Sequence, residues 1–477
     1  MKTKIKILLV FTGMAILFMS ACTKNFEDIN TNPNFPDQAP LTNVFAYIIQ
    51  DMSERFGTTE MEYAAAYVGH VTKGTYTEVT TYQGTPSSSI WNGGYSNSIS
   101  NANFVIEGAE KEGNKNLQAA AMVLKVYAVQ MLVDIYGPVP YFEAGLGADG
   151  LIHPSYDLEE TIYNDLLLQL DDANAMLVDD IANGLLGDGD LLYGGDIAQW
   201  KKFCNSLHLR IAIRMSNVDE SSAKTEISKI LGDPGKYPIF ESNSDVAYLA
   251  FPGDADWIEP WTARHSSIGD DWMAKPIIDT LVNYADPRIA FYAAPLSDGT
   301  YTGLTVGEDA DTTYSRVNDL FVNNPSGSVY FLKYAEVEFI KAEAAQRGLA
   351  GGSAKDAYEA AIRASCLEYD ISEEDITTYL QGPKVVWNND LNQIYMQKWI
   401  SLFRQSWEAW AEMRRTDIPT LPMAANSVAS GHNRPPFRFS YPDSEVKLNG
   451  DNIPAEVNEV DHYWGYQVWW DKRTGVH

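Results

Sequence analysis

The residues of this chain best suited to chemistry are flat aromatic rings on polar loops, and the chemistry they suit is noncovalent capture. Tyr76, Tyr82 and Trp91 lie in the Thr/Ser/Gly-rich stretch KGTYTEVTTYQGTPSSSIW, while Trp257, Trp261 and Trp272 lie in GDADWIEPWTARHSSIGDDWM beside Asp256, Glu259, Arg264 and Asp270. Aromatic faces flanked by polar groups on loops hold sugars and peptides. A lone Trp more often packs a core, so it is the clustering that points to a ligand. The expected ligand-binding set is Tyr76, Tyr82, Trp91, Asp256, Trp257, Trp261, Arg264 and Asp270.

Covalent chemistry has no comparable pattern. No GxxxxGK[ST], HExxH or GxSxG occurs, and the seven histidines lie far apart in the chain. Residues 145–150, GLGADG, match GxGxxG, but no clear strand leads into them and Pro154 interrupts the stretch just after them. Residues 187–190, GDGD, with Asp196 beyond them, offer oxygen ligands for calcium but lack the EF-hand spacing and its closing Glu. The alternative is a solvated loop in which Asp196 caps the helix of Trp200. No catalytic residue, cofactor or metal is assigned, calcium being the one ion left open. A glycosidase needs only two facing carboxylates, and plenty of acids is not pairing.

Composition narrows the partners. The net charge of −29 would repel phosphates, and no stretch is basic over five or more residues, so nucleic acid is excluded as a partner. Lys2, Lys4 and Lys6 precede an apolar run, and LFMSAC closes it at Cys22, the pattern of a secretory leader over residues 1–21 ending in a lipidation site. That leader carries three lysines and no acid, so its removal takes the charge from −29 to −32. Cys204 and Cys366 sit on apolar helix faces and read as small buried hydrophobes rather than a disulfide framework.

The elements that must position the loops are helical. Residues 22–40, rich in Asn, Asp and Pro, read as a tether. Thr42 is placed to cap a helix, a second is expected over 60–71, and others over 116–136 and from Asp157. Trp200, Phe203, Cys204, Leu207 and Ile211 keep the spacing of one helix face. Residues 233–325 read as a long irregular excursion with one short helix at 275–284. Helices return at 329–347 and 353–366 as a hairpin across a Gly-rich turn. Residues 391–422 read as one organising helix with Trp399 and Trp410 in the core, Lys398 and Arg404 off its apolar face, and Arg414 and Arg415 in its last turn.

These segments resemble the SusD/RagB family of outer-membrane nutrient-binding lipoproteins of Bacteroidetes, and within it the SusD-like second subgroup. The resemblance is carried by the lipobox at Cys22, NTNPN at 30–34, LVDIYGPVPY at 132–141 and YGGDIAQWKKFCNSLHLRIAIR at 193–214. It continues through DPR at 286–288, AEVEFIKAEAAQRG at 335–348, KWISLFRQSWEAWAEMRRTDIPTL at 398–421 and RFSYPDSEVKLN at 438–449. Pro138 stands where the family pattern has Asp. The resemblance implies a mostly α, tetratricopeptide-like helix-pair scaffold over residues 41–477, with few short strands and long irregular binding loops. It also implies a lipid-anchored, surface-exposed outer-membrane protein that binds glycan, or in some relatives peptide, and delivers it to a SusC-like TonB-dependent β-barrel transporter. A lipid-anchored glycoside hydrolase is the reading from a different class.

Overall fold

The computed structural model describes residues 39–83, 88–146, 150–254, 256–457 and 460–477. Cys22 and its leader lie outside these residues. The described chain is mostly α, with two two-stranded antiparallel sheets: β1 (Val71–Thr72) on β3 (Trp272–Met273), and β2 (Ala247–Ala250) on β4 (Ser328–Leu332).

Consecutive helices pack as neighbours. They are α1 (Leu41–Thr59), α2 (Ser100–Glu112), α3 (Lys115–Tyr136), α4 (Glu159–Met176), α5 (Ile197–Met215) and α6 (Glu220–Gly232). After the excursion come α9 (Tyr334–Gln346) and α10 (Ala354–Leu367), packed along each other as expected of a helical hairpin. Local chemistry fixes their ends. Asn114 accepts from Leu117 N at the start of α3, Asp196 from Gln199 N at α5, and Ser353 from Asp356 N at α10. Gly137, at φ 86°, stops α3 ahead of Pro138. Among the described residues α3 is the one helix long and apolar enough to cross a membrane, and it is buried in the core. Trp200, Phe203, Cys204, Leu207 and Ile211 are fully buried, and both described cysteines are free.

Several expectations change. Thr42 is not a cap, because α1 already begins at Leu41 with Pro40 before it. The helix expected from Glu60 is a continuation of α1 through a π-helical turn at Glu60–Ala64, and the chain turns extended at β1. The single helix expected over 391–422 is two, α12 (Leu391–Ser401) and α13 (Ser406–Thr416), after a short α11 (Glu373–Leu380). The break has a cause in buried charge. Arg404 takes a left-handed φ of 69° and sends its guanidinium to Glu259 (2.7 Å), while buried Glu60 accepts the free Ser406 N–H that starts α13 (2.7 Å). Lys398 and Arg404 are therefore buried and paired rather than off the packed face.

The excursion is also more helical than its composition suggests. The expected helix is present as α8 (Lys275–Tyr284), and a second, α7 (Pro260–Ser267), precedes it. Glu259 caps α7 by accepting from Thr262 N (2.9 Å), with Pro260 at the first helical position.

Candidate ligand-binding site

Asp270 is the fixed point from which the loop surface is built. Because Thr72 pairs with Trp272 in the β1–β3 ladder, the chain leaving β1 runs beside Asp270. The Asp270 carboxylate accepts from Gly74 N (2.9 Å), Thr75 N (3.0 Å), Tyr76 N (2.9 Å) and Trp272 Nε1 (2.9 Å). Three consecutive N–H groups form an anion nest, filled here by the protein's own acid. Burial alone would raise the Asp270 carboxyl, but these hydrogen bonds outweigh it and hold it below the usual carboxylate range. Gly74 is required by close approach, since a Cβ there would stand 2.2 Å from that of Ala310.

The anchored loop presents Tyr76 with 57% of its surface exposed. Trp272 is half-buried nearby in sequence register, with the Arg316 guanidinium 4.3 Å over its ring. Asp271 is buried and ties two rim groups, lying 2.7 Å from His265 Nδ1 and 3.1 Å from Arg316. Arg264 pairs with Glu62 at 3.3 Å. The surface therefore combines an exposed phenol, an indole backed by a guanidinium, and a rim of mixed charge. Such a set can stack on a ring and hydrogen-bond to polar substituents.

The remaining expected residues go elsewhere. Asp256 and Trp257 form a turn closed by Asp254, which accepts from both their N–H groups, and Trp257 packs on Phe251 with ring centroids 5.5 Å apart. Trp261 is fully buried on α7, with Arg404 4.2 Å over its ring; the loop reading of this residue is corrected by the Glu259-capped helix. Tyr82, at φ 63°, is buried against Tyr67 and Trp464 and lines an apolar cleft of about 350 Å³ with Pro276, Leu421 and Met423. Trp91 is buried against Tyr136 and Tyr441 beneath another cleft, of about 460 Å³, edged by Asn92, Tyr95 and Glu445. The eight residues thus do not form one site: Tyr76, Arg264 and Asp270 share the loop cap, and the other five are dispersed.

Trp272 and Arg316 complete the cap and were not among the expected ligand-binding residues. Trp272 stood in the aromatic cluster, but nothing in sequence ties Arg316 to it.

Two candidate ion sites are filled by the protein itself. Asp190 of the GDGD loop accepts from Leu192 N, Tyr193 N, Gly195 N and Trp200 Nε1, so its oxygens face protein donors, and Asp196 caps α5 as expected. Asp171, His208 and Glu226 bring ligand atoms within 4.8 Å of one another, with the Lys229 ammonium between the two acids, 2.7 Å from Asp171. Residues 147–149 of the GxGxxG match lie outside the described residues.

Residues 33–442 match the family model SusD-like_2, described as starch-binding and associating with the outer membrane. Among solved structures, a chitin-binding protein is 27% identical with a TM-score of 0.79, the match covering 91% of this chain and 99% of that one. A chitin-binding SusD homologue from Flavobacterium johnsoniae is 24% identical over 90% of this chain and 98% of its own, also at 0.79. A SusD homologue from Bacteroides fragilis is 24% identical over 92% and 100%, again at 0.79, and like the preceding one supports the fold alone. No curated protein matches the chain.

Proposed function

The chain belongs to the SusD-like family of starch-binding proteins that associate with the outer membrane, and from that premise we propose that it captures a glycan on the Asp270 loop cap. The observation that carries this is the Tyr76 ring, more than half exposed on a backbone that Asp270 holds by three consecutive N–H bonds. An exposed aromatic on a pinned loop loses little conformational entropy when it stacks on a sugar. Trp272 and Arg316 extend the surface, and Arg264 with Glu62 supplies hydrogen-bonding groups at its edge. Chitin binding by the 27% identical relative supports the same ligand class.

In this reading residues 41–477 act as one binding body, lipidated at Cys22 and displayed at the outer surface. It hands the captured glycan to a SusC-like TonB-dependent β-barrel, without chemistry of its own. The test is titration of the purified chain against starch, chitin and other oligosaccharides alongside a peptide panel. Binding of at least one glycan, weakened by Tyr76→Ala, is expected. Peptide binding with every glycan blank would overturn the ligand class, and glycan turnover would overturn the binding-only role.

A further inference from the structure

Eleven lysines and arginines of the described chain are buried, and ten of them have an ion pair or hydrogen bond for the charged group. Lys73 is the exception. It is 6% exposed, and its ammonium makes no ion pair or hydrogen bond with any described residue. Even Arg414, which also lacks an acid, donates to the carbonyls of Asp134 and Phe437.

None of the acids near Lys73 is in direct contact with its ammonium: Asp270 accepts from backbone N–H groups, Asp271 holds His265 and Arg316 through Oδ1 while its Oδ2 is buried without a donor, and Glu62 pairs with Arg264. Burial lowers the Lys73 pKa, Arg264 lowers it further, and Asp270, Asp271 and Glu62 only partly restore it. The side chain is packed while its Nζ keeps contact with solvent, so the charge is reachable from the surface with no counter-charge of the described residues in direct contact. Lys73 directly precedes the pinned Gly74–Tyr76 segment, in a chain whose net charge is −29.

We propose that Lys73 is the counter-charge for an anionic substituent, carboxylate or sulfate, on the glycan that stacks against Tyr76 and Trp272. The inference rests on the reading of the loop cap as a glycan site. An anion entering between the Arg264 and Arg316 rim gains a charge-assisted bond that no described residue of the chain supplies. A neutral glycan leaves the ammonium as it stands.

Two matched ligand pairs test this: an oligogalacturonide against its methyl ester, and a sulfated oligosaccharide against its desulfated form, with the neutral panel beside them. The full chain is expected to prefer the anionic member of one pair by about tenfold or more. Lys73→Met should bring that ratio close to one while changing affinity for the neutral member less than about twofold, and Lys73→Arg should preserve the preference. The inference is overturned if the unaltered chain binds both members equally, if only the neutral panel binds, or if Lys73→Met keeps the preference. If no glycan of any kind binds, the glycan reading falls and takes this inference with it.

Discussion

The interior around α12 and α13 and the loop cap around Asp270 are both rich in charge, yet they treat it differently. In the interior each buried Lys or Arg has an acid or, as with Arg414, backbone carbonyls for its charge. Arg210 pairs with Glu336 at 2.6 Å, Arg214 with Glu408 at 2.6 Å and with Glu412, and Lys398 with Glu412 at 2.9 Å. Arg415 reaches both Glu343 (2.6 Å) and Glu412 (2.7 Å). These pairs join α5, α9, α12 and α13 and fix their register. At the loop cap Asp270 is spent on backbone and the Lys73 ammonium has no direct partner among the described residues. Matching that is complete in the scaffold and stops at one surface marks where an outside group is expected to complete it.

The largest effects should come from unmatching the interior. Arg415→Met takes the bidentate partner from buried Glu343, leaving it Arg347 as its cation, and one of three cations from Glu412, and should cost about 3 kcal/mol in denaturant unfolding. Trp410→Ala, which empties a fully buried site, should cost a similar amount, about 3–5 kcal/mol. Losses under about 1 kcal/mol would show that the scaffold tolerates mismatch, and the contrast with the cap would disappear.

A smaller, pH-dependent effect belongs to His70, buried between Trp399 and Phe403, where burial lowers its pKa to about 3. The unfolded chain takes up that proton near pH 6.5 and the folded one only near 3. Its penalty is therefore absent above about pH 6.5, grows by about 1.4 kcal/mol per unit as pH falls, and is complete below the folded value. His70→Gln should flatten the pH dependence of unfolding between about pH 6 and 4. An unchanged slope would place that dependence elsewhere.

Smaller still is the effect of Asp270→Ala, which removes the acceptor of the Gly74–Tyr76 amides. It should speed hydrogen exchange at those three positions while leaving exchange in α3 and α5 unchanged. The sign with pH is opposite to that of a raised group. The depressed Asp270 carboxyl stabilises the loop above its unfolded pKa, about 4, and that stabilisation is lost as pH falls through the folded value. Loss of protection spreading to α3 would make Asp270 part of the scaffold rather than of the cap.

Much of the scaffold was legible because helix periodicity and caps are local signals. Trp200 to Ile211, the Asp196 cap and the 275–284 helix needed no partner to be read. The break between α12 and α13 was hidden because Glu60, which accepts the Ser406 N–H, is 346 residues away in sequence. The helix around Trp261 did carry a local signal, an acid before Pro260, that the loop-like composition masked. For the candidate site, residue type pointed to Tyr76, Arg264 and Asp270. It could not separate them from Tyr82, Trp91 and Trp261, because burial of an aromatic depends on chain segments far away. Arg316 and Lys73 gave no signal at all, since stacking on Trp272 and the lack of a counter-charge are properties of the folded surface.

The central claim, that the loop cap binds and the interior only holds, is tested most directly by one paired titration. Affinity for the best glycan of the panel and the thermal midpoint are measured together for the unaltered chain and for Tyr76→Ala with Trp272→Ala. The account predicts an affinity loss of about tenfold or more with a midpoint within about 3 °C. Unchanged affinity at an unchanged midpoint would contradict it and move the site away from Asp270.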